Sequence, residues 1–143
     1  MSEADKDLPL LSGILRASQT VRNLGVIIDE RLTFDAQTRA CSKTCFFHLR
    51  HIRQIKHFID DSALRLLVHL FITSGLDYCN GLLANCSVAV RQRMQRIRDS
   101  AARLVCSELA RSHAAPLLHR LHWLPISKRI KYKQCVLMFD VFH

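Results

Sequence analysis

Two acids stand side by side behind an aromatic residue in Phe58-Ile59-Asp60-Asp61. Adjacent carboxylates, joined by a further acid from another strand, can hold two divalent ions about 4 Å apart and drive phosphoryl transfer. Asp29, after the apolar run Gly25-Val26-Ile27-Ile28, is a candidate for that further acid. The surroundings argue otherwise. "RHIRQIKHFI" before the pair and "SALRLLVHLF" after it both read as helix, so the pair falls at a junction between helices and not on a β-turn. Only one helix fits between Asp29 and Asp60, less structure than a two-metal palm threads between its ligands. The acids also have an ordinary use: Asp60 or Asp61 caps the helix opening at Ser62, and both complement its dipole. The expectation is that neither is catalytic.

Cys41, Cys45 and His48 share a helix face at i, i+4 and i+7, with His51 one turn on. Thiolate and imidazole are zinc ligands, but a closed site needs four of them, usually from two elements. Cysteine is equally a small buried apolar residue, and no metal is expected. The histidines show no spacing to a nucleophile or carboxylate that would mark a catalytic pair. The chain contains neither a Gly-rich phosphate loop nor GxSxG. No cofactor is expected.

The arginine-rich run "VRQRMQRIRDSAARL" carries the clearest functional signal in the residues themselves. Arg93, Arg96 and Arg103 line one flank of the predicted helix, Arg91 and Arg98 the other. Guanidinium forks fit phosphate oxygens bidentately, and within the run Asp99 is the one interrupting acid. The competing reading is the solvated face of an amphipathic helix. In "SKRIKYK", Lys128, Arg129, Lys131 and Lys133 crowd the first turns of another helix, where the dipole does not favour cations. A nearby anion would account for that placement, and solvated lysines are the alternative.

Composition agrees with a basic, core-forming chain. The 143 residues suit one domain, and 49% are apolar, enough for a core. Four Gly and three Pro exclude a turn-rich all-β fold and a disordered chain. Lys and Arg number 21 against 12 Asp and Glu, a formal charge of +9 that favours polyanionic partners, nucleic acid before membrane surface. The six cysteines, at 41, 45, 79, 86, 106 and 135, form no CxxC and no secreted framework. With no basic n-region and apolar h-region at the start, reduced thiols in an intracellular protein are expected. The stretch Leu64 to Ile72 is too short to span a bilayer.

The elements that would position these residues are mainly helical. Residues 1–10 are mixed and read as a loose segment. Residues 11–16 and 21–28 are the strand candidates, separated by "ASQT" and able to form a short hairpin. Gly25 interrupts the second and marks a bulge or a close backbone approach. Helices are predicted from Asp35, a candidate cap, to about His57, with Cys41, Cys45, Leu49 and Ile52 inward. Others run from Ser62 to about Leu83, apolar nearly all round with a break at Gly75 or Gly81, from Ser87 to Glu108, over 114–121, and from Ile126 onward. The last has Ile130, Val136, Leu137 and Phe139 as apolar positions. The fold class is thus mainly α: a short N-terminal hairpin segment at 11–34, then a bundle of four to five helices over 35–143.

Four strings in this order, "VRNLGVIIDERLTF", "LVHLFITSGLDYCNGLL", "RDSAARLV" and "LHWLPISKRIKYK", carry a resemblance. Over Val21 to His143 the chain resembles the C-terminal part of the reverse transcriptases (RNA-directed DNA polymerases) of non-LTR retrotransposons, or LINEs, of the jockey/CR1/L2-like kind. The resemblance implies that Asn23, Leu24, Gly25 and Val26 lie in a primer-grip-like hairpin. It implies that the helices beyond are thumb-like, with DNA or RNA template–primer held by its phosphate backbone. Tyr78 and Trp123, in hallmark strings, are read as packing anchors with polar handles. The family's palm carboxylates and its apurinic-type endonuclease domain belong upstream of "NLGV". The implied protein is therefore a truncated, non-catalytic remnant with residual nucleic-acid affinity, whose missing partner is the palm. A face once packed on the palm would favour self-association. The alternative is an orphan helical protein-interaction fragment.

Overall fold

The computed structural model describes residues 8–10, 13–15, 18–78 and 80–142. Of the segments above, residues 1–7, 11, 12, 16 and 17, Cys79 and His143 lie outside the described residues. The fold is mainly helical behind short antiparallel strands, as expected.

The strands do not pair as the two runs suggested. β1 (Leu8–Leu10) pairs with β2 (Gly13–Leu15), and β3 (Thr20–Asn23) pairs with β4 (Val26–Asp29), each pair a separate antiparallel sheet. The run 21–28 folds back on itself. Leu24 at φ 47° and Gly25 at φ 82° form a two-residue loop between the paired residues Asn23 and Val26. Positive φ at both central positions matches the twist of a tight hairpin, and glycine supplies it without strain. Val26 points into the core while β3 is exposed.

Asp29 ends β4 and organises the chain into α1 (Asp35–Ile55). Its carboxylate accepts from the backbone N–H groups of Arg31, Thr33 and Phe34 at 3.2, 2.9 and 2.8 Å, and from the Thr33 hydroxyl at 3.0 Å. These bonds hold the carboxyl below the ordinary aspartate range, the Thr33 N–H contributing most. Phe34, not Asp35, is the cap residue of α1, at φ 57°, and Asp35 is its first helical residue. Asp29 orders the loop that leads into α1, while the Asp35 carboxylate binds arginines.

α1 buries Thr38, Cys45, Leu49 and Ile52 in one stripe and ends in a tighter turn at Lys56–Phe58. Asp60 caps α2 (Asp61–Val68): its carboxylate accepts from the Ala63 N–H at 2.7 Å and from the Ser62 hydroxyl at 3.1 Å. α2 runs through a wide turn at His69–Thr73, where the Ser74 N–H reaches back to the His69 carbonyl, into α3 (Ser74–Asp77). The helix ends at Tyr78, in extended conformation, and not at a glycine. Nor is it buried all round. Leu64, Val68, Ile72 and Leu76 face the core, while Leu66, Leu70 and Phe71 are exposed.

After a tight turn at Asn80–Leu83, Ser87 caps α4 (Val88–Val105), which packs most closely on α1 and buries Val90, Met94, Ile97, Ala101 and Leu104. α4 and α5 (Ala114–Arg120) end alike. Ser107 and His122 take positive φ. Glu108 N–H then bonds the Arg103 carbonyl, and Trp123 N–H the Leu118 carbonyl, each closing a Schellman motif. α6 (Ile126–Phe142) buries Ile126 and Ile130 alone among its described residues. Leu137 and Phe139, expected as apolar positions, are largely exposed. No helix is long and apolar enough to cross a membrane among the described residues.

Candidate nucleic-acid interface

The structure sorts the predicted basic residues into internal and outward-facing groups. Arg93 reaches from α4 to α1, where its Nη1 donates to Asp35 at 2.7 Å and to the buried Thr38 hydroxyl at 3.0 Å. Asp35 also pairs with Arg39 at 2.7 Å, and Arg93 is the main cause of its lowered pKa. Arg98, read from sequence as a flanking residue, is only 1% exposed. Its Nε donates to the Leu124 carbonyl at 2.7 Å, and its guanidinium lies 4.8 Å from the Trp123 ring centre. Burial, with repulsion from Arg129 added, pulls its pKa down to about 10, which leaves it charged at neutral pH. Arg129 binds both carboxylate oxygens of Asp77. These three arginines tie helices together, the reverse of a solvent-facing phosphate contact.

The remainder face outward. Arg96, Lys128, Lys131 and Lys133 are exposed, Arg91 is half-exposed, and none of their side chains makes an ion pair or hydrogen bond among the described residues. Gln95 places α6 beside α4: its side-chain carbonyl accepts from the Ile126 N–H at 2.8 Å. Arg103 donates through Nε to the Ser112 carbonyl at 2.9 Å and lines a cleft of about 390 Å³. Arg53, Lys56 and His57, from the end of α1, share that cleft, and sequence reading had not joined them to Arg103. Lys56 donates to the Leu104 carbonyl and the Ser107 hydroxyl, each at 2.8 Å, closing one wall.

The primer-grip-like residues Asn23, Leu24, Gly25 and Val26 are the hairpin tip itself. Leu24 is 84% exposed. The Tyr78 hydroxyl donates to the Leu24 carbonyl, and its ring stands 4.0 Å from where a Cβ on Gly25 would be. Tyr78 is thus an anchor with a polar handle, and the Trp123 ring packs under Arg98. The four strings of the sequence resemblance touch through these residues: Tyr78 with Leu24, Asp77 with Arg129, and Arg98 with Trp123 and Leu124. In sequence nothing but their order related them.

Cys41 and Cys45 bring their sulfurs to 3.9 Å, and Cys41 lies 3.6 Å from the Gly75 carbonyl. Their shared hydrogen bond and burial push the Cys45 thiol up. His48 stacks at 4.8 Å from Phe71, away from the thiols' bonding partners. The described residues gather no group of three or more metal-ligating side chains.

Comparison with known proteins gave no match to a family model, a curated protein or a solved structure.

Proposed function

We propose that this chain is the helical, non-catalytic region that follows the palm in a LINE-type reverse transcriptase, and that it holds nucleic acid by the phosphate backbone. The observation that carries the binding half is the set of outward cations that make no ion pair among the described residues: Arg91, Arg96, Lys128, Lys131 and Lys133, on two adjacent helices. The nearby acids Asp35 and Asp77 are already engaged by other arginines. The mode is backbone contact without base readout. The family half is supported by the four strings meeting through specific contacts. The non-catalytic half is supported by Asp29 and Asp60, whose carboxylates are engaged in ordering loops. A fluorescence-polarisation titration with duplex and single-stranded oligonucleotides tests the binding. Tight association at low salt that weakens steeply as salt rises is expected, and binding indifferent to salt, or none, would refute it.

A second reading draws on α6. Leu137, Met138, Phe139, Val141 and Phe142 are exposed on its C-terminal half. A helix apolar on an open face fits a protein partner, whether the palm or a second copy of this chain. Light scattering that finds a monomer across a wide concentration range would count against the second copy.

A further inference from the structure

A pocket of about 300 Å³ lies between α2, α4 and α6, at the lower end of the sizes that hold small ligands. Its polar lining is Arg65 from α2, His69 and Thr73 from the wide turn, Arg98 from α4 and Arg129 from α6, with Trp123 as an apolar wall. Each of these polar side chains can donate a hydrogen bond. No carboxylate lines the pocket. Asp77 pairs with Arg129, and neither Arg65 nor Arg98 makes an ion pair among the described residues, although Asp77 and Asp99 act on Arg98 from a longer distance.

Arg98 is the strongest indication. It is a buried cation whose Nε is bonded to Leu124 and whose Nη1, shut from solvent, has no partner among the described residues. A buried charge without a direct ion pair is costly, and unsatisfied buried donors are rare in folded proteins. Arg129 nearby adds like-charge repulsion. The geometry points to a pocket, open on the side of the exposed Arg65 and His69 and closed on that of the buried Arg98, that binds one phosphate-type oxyanion among Arg65, Arg98 and Arg129. A tetrahedral anion offers acceptors in several directions, and the donors here converge from three elements. A planar carboxylate would meet fewer of them. Charge-assisted bonds from guanidinium forks are the strong kind, and the Thr73 hydroxyl and His69 ring complete the donor set. The site is separate from the outer basic face and stands whether or not that face binds nucleic acid.

Trp123 is the sole tryptophan of the chain and forms one wall, so its fluorescence reports on the pocket. The full chain is titrated with inorganic phosphate against sodium chloride at matched ionic strength. A saturable change with phosphate alone is expected. Arg65→Gln should weaken it about tenfold, the loss of one charge-assisted contact. Lys43→Gln, exposed on α1 and outside the pocket, should leave it as it was. Arg98→Met, checked for folding by circular dichroism, should abolish it. If Arg98→Met does not fold, the comparison of Arg65→Gln with Lys43→Gln decides. An unresponsive wild-type chain, or equal effects of Arg65→Gln and Lys43→Gln, overturns the site. A single-stranded oligonucleotide with and without a 5′-phosphate then identifies the source. Displacement of phosphate by the phosphorylated strand alone assigns the site to a nucleic-acid terminus. Displacement by neither assigns it to free phosphate, and equal displacement by both counts against a site for a single terminal or free phosphate.

Discussion

Asp60 and Asp29 hold backbone N–H groups with their carboxylates, and the consequences are measurable one residue at a time. Asp60→Ala should lower the melting temperature by a few degrees, the loss of an ordinary helix cap, while Asp60→Asn, an equally good cap, should not. Asp29→Ala should cost more, because it frees three backbone donors and a hydroxyl at once. Both carboxyls sit below the usual aspartate value of 3.8 in the folded chain. Their contribution is therefore complete above that pH and disappears as pH falls through the lower folded values. Acid melts should show Asp29→Ala and the wild type converging below pH 3.8, and a gap unchanged across that range would contradict the assignment. Asp60 was legible in the sequence because a cap lies next to the helix it serves. Asp29 was not, since its partners are the amides of a loop with no periodicity to mark it, up to five residues on. Arg98 was the hardest to place. Its spacing puts it beside the buried stripe of α4, but only the arrival of Trp123 and Leu124 from the distant α5–α6 connection makes it internal.

At the scale of elements, the hairpin tip sets two substitutions against each other. Leu24 holds a left-handed conformation that costs a side chain about 1–2 kcal/mol, and asparagine tolerates it better. Leu24→Asn should stabilise the hairpin by about 1 kcal/mol. Gly25→Ala should destabilise it by about 1–2 kcal/mol, because a Cβ is strained at φ 82°. Thermal melts giving the same sign for both would count against the turn. Tyr78→Phe keeps the ring and removes the bond to Leu24. Faster hydrogen exchange in β3 and β4, with the α1 and α4 amides unchanged, is the expected signature. The helices were legible because a periodicity sustained over several turns survives local exceptions: Cys45, Leu49 and Ile52 on α1, and Val90, Met94, Ile97 and Ala101 on α4, are all buried. The strand runs were legible as well, but their pairing was not, since pairs only three or four residues long are fixed by the backbone at the loop. α6 misled for another reason: past Ile130 its apolar residues are half-buried or exposed, not in the core.

At the scale of the whole molecule, a large positive charge and a bundle tied by internal arginines act together. Arg93, Arg98 and Arg129 draw on Asp35, Asp77 and main-chain carbonyls, so the surface cations are left with few acids of their own. That imbalance was legible as net charge, but its distribution was not, because a helical wheel cannot tell which arginine another helix will meet. The direct test is the salt dependence of nucleic-acid affinity, measured as the slope of log K against log salt. Binding by the outer face predicts a steep negative slope that becomes shallower by about 0.7–0.9 for each phosphate contact removed, as in Arg96→Gln or Lys131→Gln. A slope near zero, or one that those substitutions leave unchanged while the chain stays folded, would contradict the account.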